Sequence, residues 1–456
     1  MNTLEKRSVF ALASVYAIRM LGLFMIMPVF MLLGDSLEGA TPALLGFAIG
    51  AYGLSQALLQ IPFGFLSDRV GRKRMIYIGL VLFAAGSILA GSADSIYVVI
   101  AGRILQGAGA IASVLMALLS DLTREEERTK AMATVGISIG LSFSVSLVLG
   151  PLVGSVWGLS GIFYATGVLA MIALFIVSRV VPTPHQHKVS ADTHPAKAML
   201  GKVLSDKRLL RLDFGIFVLH LVLTSLFLVF PSVLQNQLGL ASGSHWWFYL
   251  SVMVTSFFAM VPFIIIGEKK RMMKPVLGGA IALLAMATAG LSGVSDSLAF
   301  AWVVMFFFFM AFNLLEASLP SLISKEAPAA SKGTAMGVYS TSQFMGAFLG
   351  GAFGGYLLQQ VGIDGVVWFM VAALGLWLLV ALTMPAPGHT SGFVVQLRDM
   401  VGNQYDDVDG SLRRLPGVQD VVIIENASTA YLKVDRQHFD EALLADFPFV
   451  RQGSSS

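Results

Sequence analysis

Apolar residues run along this chain in long blocks separated by short polar or charged connections. The blocks lie near 8–33, 43–66, 75–93, 96–120, 131–156, 161–181, 210–236, 246–267, 275–293, 298–323, 334–358 and 363–384. Each reaches or approaches the ~18–20 residues with which a helix crosses a bilayer, so twelve spans are predicted.

The blocks fall into two sets of six. Between them, 182–209 breaks the pattern with Pro182, Pro184, three histidines and several lysines, and reads as a cytoplasmic linker between an N-terminal bundle over 1–181 and a second over 210–384. The halves echo each other: Leu149-Gly150-Pro151-Leu152-Val153-Gly154 in span five matches Leu349-Gly350-Gly351-Ala352-Phe353-Gly354 in span eleven, 200 residues on, and Lys130 and Lys332 open these two spans. Such a repeat predicts two related six-helix units.

After span twelve the composition changes. A short linker over 385–391, containing Pro385-Ala386-Pro387-Gly388, leads into an ordinary soluble mixture over 392–452. There Gly392–Leu397 reads as a strand, 402–415 as a helix, Val418–Ile424 and Ala430–Val434 as strands joined at Glu425-Asn426, and 436–445 as a helix. That order predicts a small α+β, ferredoxin-like sandwich. The fold class expected is thus an all-α polytopic membrane protein, twelve transmembrane helices in two six-helix bundles, plus this C-terminal domain; Gly453 to Ser456 reads as a tag remnant.

Composition agrees. Of 456 residues 56% are hydrophobic and 12% charged, more apolar surface than a soluble interior of this size can hide, so the bilayer must act as solvent. The first apolar run is too long for a cleavable signal and reads as a retained helix. Lys6, Arg7, Arg69 to Arg74, Arg124 to Lys130, Arg179 to Arg211, Lys269 to Lys274, Lys325 and Lys332 all fall in alternate connections, which puts both termini in the cytoplasm by the positive-inside rule. The net charge of +3 reflects that topology and gives no support to nucleic-acid binding. With no cysteine, thiolate metal sites and disulfides are excluded. His185, His187 and His194 lack carboxylates in fixed geometry, so no metal is expected, and no nucleophile-base set or phosphate-cradling loop points to an enzyme.

The most informative motif is Gly64-Phe65-Leu66-Ser67-Asp68-Arg69-Val70-Gly71-Arg72-Lys73-Arg74 between spans two and three. Asp68 would sit against the N-terminus of span eleven, favoured by its dipole, with Gly64 permitting close approach. Arg72 would pair with Asp121 at the cytoplasmic end of span four, so that both halves are latched while the molecule opens outward, and breaking the latch would permit inward opening. In residue order and spacing this loop resembles the major facilitator superfamily, and Gly267-Glu268-Lys269-Lys270-Arg271 after span eight is a worn copy of it. Arg103 in Arg103-Ile104-Leu105-Gln106-Gly107 resembles a second motif of that family, whose arginine is often linked to proton coupling. Gly150, Pro151 and Gly154 resemble the glycine-proline motif of its drug antiporters, although Ser146 and Ser155 replace two expected glycines.

Other candidates come from the residues themselves. Arg19 lies in span one without an acidic partner in its own helix, and an unpaired intramembrane arginine is expensive enough to require a cavity or another helix. Glu316 reads as the sole carboxylate well inside an apolar span, able to load and release a proton, and His220 lies at similar depth, so the two form a candidate titrating pair. Asp68 is a further proton candidate. Met20, Phe24, Met25, Met305 and Phe306 to Met310 suit an apolar or amphipathic substrate, though lipid-facing surface explains most of them equally well.

The resemblance implies a proton-driven efflux antiporter for drug-like or amphipathic small molecules in a bacterial inner membrane, working by rocker-switch alternation. Its partners would be substrate, protons and lipid, with the proton gradient in place of any cofactor. An importer or uniporter of a small metabolite shares the same gate, and a membrane sensor acting through the C-terminal domain is a rival of another kind. That domain is free to bind a small ligand or a second copy of itself.

Overall fold

A computed structural model gives the fold; its described residues are 1–182, 196–294, 297–327, 332–385, 390–398, 404–424, 428–435, 438–440, 443–444 and 447–450. Helices α1 (Thr3–Phe24), α2 (Phe30–Leu33), α3 (Pro42–Val70), α4 (Arg72–Gly91), α5 (Ile96–Ala108), α6 (Ala112–Asp121) and α7 (Glu125–Arg179) build the first bundle. Helix α8 (Ala196–Ser205) precedes the second, made of α9 (Lys207–Ser232), α10 (His245–Lys269), α11 (Met273–Gly290), α12 (Leu298–Glu326), α13 (Lys332–Val361) and α14 (Ile363–Leu382).

Among the described residues ten helical segments are long and apolar enough to cross a membrane. One of them makes two passes. Arg124, just before α7, meets Glu5 at 2.9 Å, while Arg179 at its far end accepts a hydrogen bond from Arg7 through its carbonyl at 3.3 Å. Both ends of the 55-residue α7 therefore lie beside the start of α1, and the chain doubles back at Gly158, whose φ of 63° leaves the helical region. Helix α13 adds the remaining pass: it is 30 residues long, and its glycine and polar content reflects a position between α3 and α9 instead of against lipid.

The predicted spans differ from these helices in three instructive places. Span one, expected to continue to 33, stops at Phe24, and the chain turns before Pro28 into the four-residue α2. Span four is two helices, because Gly109 breaks it where a Cβ would run into the Gly79 carbonyl. The 182–209 connection contains α8, which packs on α9 and buries Val203. Residues 183–195, including the three histidines, lie outside the described residues.

The repeat read from the sequence is a packing repeat. In the first half α7 crosses the chain after α1, where a Cβ at Gly150 would fall on the Met25 carbonyl and Gly154 abuts Leu33. In the second, α13 crosses α9, where Cβ atoms at Gly346 and Gly350 would fall on the carbonyls of Phe217 and Leu221. Without water to drive helix association in lipid, such backbone proximity supplies the van der Waals contact that holds spans together.

Among the described residues the halves pack together from one end to about mid-depth. At the end remote from the basic connections, Ala43 N donates to Gln359 Oε1 at 3.2 Å, Phe47 meets Phe348 at 5.9 Å, and Cβ atoms at Gly50 and Gly53 would lie 2.7 and 2.6 Å from the carbonyls of Phe348 and Phe344. Further down the same helix, Gly333 and Gly337 have nothing within 4 Å, as do Gly136 and Gly140 on α7. Among the described residues the bundles are closed at the far end and parted at the basic end.

The C-terminal domain holds β1 (Thr390–Gln396), α15 (Gln404–Arg413), β2 (Val418–Ile424) and β3 (Thr429–Asp435), with antiparallel sheet order β1-β3-β2 and Val395, Leu412, Val421 and Leu432 in its core. An antiparallel bridge from Leu397 to Val450 extends the sheet beyond β1, giving the split β-α-β order expected. Of the helix expected over 436–445, several residues and the Glu425-Asn426 joint lie outside the described residues, and Leu443–Leu444 form a 3₁₀ turn.

Candidate functional site

At the basic end the span 2–3 loop is shaped by one residue. Gly71 has φ of 104°, which L side chains rarely adopt, and so allows α3 to end and α4 to begin within a single position. This brings Arg72 over the end of its own preceding helix. Its guanidinium donates to Ser67 Oγ at 2.6 Å and meets Asp68 at 2.5 Å and Asp121 at 3.3 Å. These contacts join spans two, three and four, all of the first half, and they stand with the basic end open; the Arg72–Asp121 pair expected to latch both halves in the outward-open form is instead a contact within one half, because both side chains sit on helices of the same bundle. Asp68 is 54% exposed, as an open end requires, and its partner in this state is Arg72. Gly64 faces Ser113, where a Cβ would find ordinary contact at 3.5 Å, so close approach there is not in use in this state. The second half closes its own basic end with Lys325 to Glu268 at 2.6 Å and Arg208 to Glu326 at 3.5 Å.

Within the first bundle the two arginines converge on α3. Arg19 donates from Nη2 to Tyr52 Oη at 3.0 Å and to Gln56 Oε1, while its Nε and Nη1 have no protein acceptor. Arg103 donates to the carbonyls of Ala48 and Ile49, each at 3.4 Å, and to Gln106 Oε1 at 2.9 Å, and stacks 5.0 Å above the Tyr52 ring. Both are 1% exposed. Gln106 passes the chain on to Ser87, and Gln56 to Gln60. Charge is thus spread over carbonyls, amides and a ring face rather than neutralised by a carboxylate, which stores a strong field beside Tyr52.

The second bundle carries the opposite sign. His220 on α9 places Nδ1 3.9 Å from Glu316 Oε2 on α12, and its Nε2 lies 2.8 Å from Gln343 Nε2 on α13. Phe312, one turn before Glu316, covers the imidazole at a ring distance of 6.2 Å. The His220 and Glu316 predicted at similar depth are therefore neighbours.

Glu316, however, is not the only carboxylate in a span. Asp213 on α9 is 4% exposed, with neither oxygen hydrogen-bonded to protein. It lies three residues into the predicted span beside Arg211, where it reads as part of the charged boundary; only the depth of α9 within the bundle reveals its burial. Tyr339 on α13 lies within electrostatic reach of both Glu316 and Asp213. The amides Gln56, Gln106 and Gln343 were equally silent in the sequence, since a glutamine signals nothing until its partner is known.

The two polar systems abut across the seam between halves. Phe344, the residue after Gln343, packs its ring 6.3 Å from Tyr52, which holds both arginines. Phe143 of α7 meets Phe309 and Phe312 of α12 at 6.2 and 5.9 Å, giving a second crossing; of the phenylalanine run, Phe308 and Phe309 are buried while Phe307 faces outward.

This combination of paired bundles, the loop around Gly71 and a polar interface at mid-depth agrees with a match of residues 12–351 to the family model described as Major Facilitator Superfamily. The chain belongs to the major facilitator superfamily. Such transporters are not enzymes, and they bind small-molecule substrates. The inner membrane transport protein YajR of Escherichia coli is 44% identical over 94% of each chain, which fits a bacterial inner-membrane, multi-pass protein. Multidrug resistance protein 2 of Bacillus subtilis is 28% identical over 78% of this chain and 90% of its own. Among solved folds, a bacterial homolog of the human lysosomal transporter Spinster, in an inward-facing and occupied conformation, superimposes with a TM-score of 0.67 at 14% identity, covering 84% of this superfamily member and 96% of that chain.

Proposed function

We propose that this transporter is proton-coupled and exports drug-like or amphipathic small molecules by rocker-switch alternation, with the basic end facing the cytoplasm and open. The orientation rests on the basic connections. Export is supported by relatives whose names denote multidrug resistance. The observation that carries proton coupling is the His220–Glu316 pair at 3.9 Å, placed beside the only helix that packs both on α9 and, across the seam, closely on α3 among the described elements. A titratable pair there can favour different arrangements of the halves in its two protonation states. With the basic end open Asp68, Arg72 and Asp121 are paired within the first half, and Asp68 would gate that end by turning to the start of α13 when the halves close; Arg19 and Arg103 would hold the field against which the proton moves.

The test is flux. Purified protein in vesicles under an imposed pH gradient, challenged with lipophilic cations, should move protons in a substrate-dependent way, and Glu316→Gln should reduce that movement by about tenfold or more. Undiminished flux in the variant removes Glu316 from the reading, and counterflow that ignores the pH gradient replaces the antiporter with a uniporter.

A further inference from the structure

We infer that Gln343 is a positioning residue that converts protonation of the His220–Glu316 pair into movement of α13, through reversal of one hydrogen bond. The inference rests on the proton-coupled reading above.

Gln343 presents its amide nitrogen to His220 Nε2 at 2.8 Å. An amide nitrogen only donates, so Nε2 is the acceptor and the neutral ring carries its hydrogen on Nδ1, which lies 3.9 Å from Glu316 Oε2, beyond hydrogen-bond distance. A proton on the imidazole reverses this polarity: the proton occupies Nε2, which turns from acceptor to donor, and Gln343 must rotate its amide to offer Oε1. A proton on Glu316 alone does not, because a protonated carboxyl keeps an acceptor oxygen for Nδ1–H; the carboxylate acts by favouring the charged ring.

The position of Gln343 makes that rotation consequential. Four residues earlier, Tyr339 has its hydroxyl buried without a hydrogen-bond partner. Phe344, the next residue, packs on Tyr52 across the seam, and from there Phe348 and Gly351 continue along α3. A side chain that must turn at 343 acts on the helix that joins the halves. Among the described residues, the titratable groups brought toward His220 are Glu316 from α12, Tyr339 from α13 and Asp213 two turns nearer the basic end on α9 itself. The elements α14 and α2 bring Trp377 and an apolar turn, α8 carries Lys202 at the basic end, and Arg19 and Arg103 stand behind Tyr52 in the other half.

The absence of cysteine makes a substrate-free test direct. Spin labels at Leu66→Cys and Gly333→Cys, one on each half at the parted end, report its opening in vesicles by pulsed electron resonance as pH is varied. Gln343→Glu, an acceptor when ionised, should favour hydrogen on Nε2 and move the midpoint of the distance change to higher pH by about one unit, tenfold in proton affinity. Gln343→Leu should flatten the pH response. If the response persists unmoved in both variants but disappears in Glu316→Gln, Gln343 has no such role while the proton site stands. If the unsubstituted protein shows no pH response, the proton-site reading falls and this inference with it.

Discussion

Arg72 reaches three partners only because Gly71 turns the chain back on itself: Ser67 Oγ, Asp68 and Asp121 all lie within 3.3 Å of its guanidinium. A planar fork can satisfy three directions; an ammonium is a single point charge. Arg72→Lys should therefore lower thermal stability of the first bundle and Arg72→Ala should lower it further, by about 1–2 kcal/mol, the range for hydrogen bonds to charged groups reduced by partial exposure. Gly71→Ala should cost ~1–3 kcal/mol, because φ of 104° with ψ of 135° is a backbone region that strains any side chain. Melting curves in detergent check both, and equal stability of Arg72→Lys and the unsubstituted protein would show that charge alone matters. At this scale the loop was legible because each of its residues has a local job: a turn that needs glycine, charges that mark a helix end. Asp213 and Gln343 were not, because their meaning lies in what faces them from other helices.

For the elements, α13 shows both how far a pattern leads and where it stops. Its glycines were visible as a repeat of span five, and repetition correctly implied two related bundles. That the same helix presents one glycine face to α9 and another to α3 could not be read, since a glycine names no neighbour. The two faces should answer substitution differently. A Cβ at Gly351 would lie 2.6 Å from the Gly46 carbonyl, across the seam, so Gly351→Ala should push the halves apart at the closed end. A thiol introduced at Ala43 should then react with a polar maleimide faster by about tenfold, a population shift of ~1.4 kcal/mol. Gly346→Ala points at the Phe217 carbonyl within its own half and should lower stability without raising that reactivity. Equal labelling in the two variants would mean the seam is not where the halves separate. The breaks after Phe24 and at Gly109 were likewise hidden, because hydropathy continues through a turn that is buried in protein.

At the scale of the whole molecule an ion pair relates the second bundle to the small domain. Arg271, in the connection between α10 and α11, holds a positive φ of 58° and meets Asp435 at the end of β3 at 3.8 Å. This joins the domain to the loop that copies the Gly71 motif in the second half. An ion pair this open to solvent contributes about 0–1 kcal/mol and is screened at high salt, where the Debye length falls to ~3 Å. It can bias the loop but cannot hold a gate that must stay shut against a gradient. Asp435→Asn should accordingly increase deuterium uptake around Arg271 while leaving melting temperature and flux nearly unchanged, and 1 M salt should reproduce the change in uptake. Removing the chain from Thr390 onward is the stronger form of the same test. A transporter tuned by its domain keeps proton-linked flux after the removal, with an altered response to conditions, because the His220–Glu316 pair, α13 and the seam all lie within the bundles. A sensor that signals through the domain loses its output, and loss of flux in a truncated protein that still melts cooperatively would transfer the essential step from the bundles to the domain.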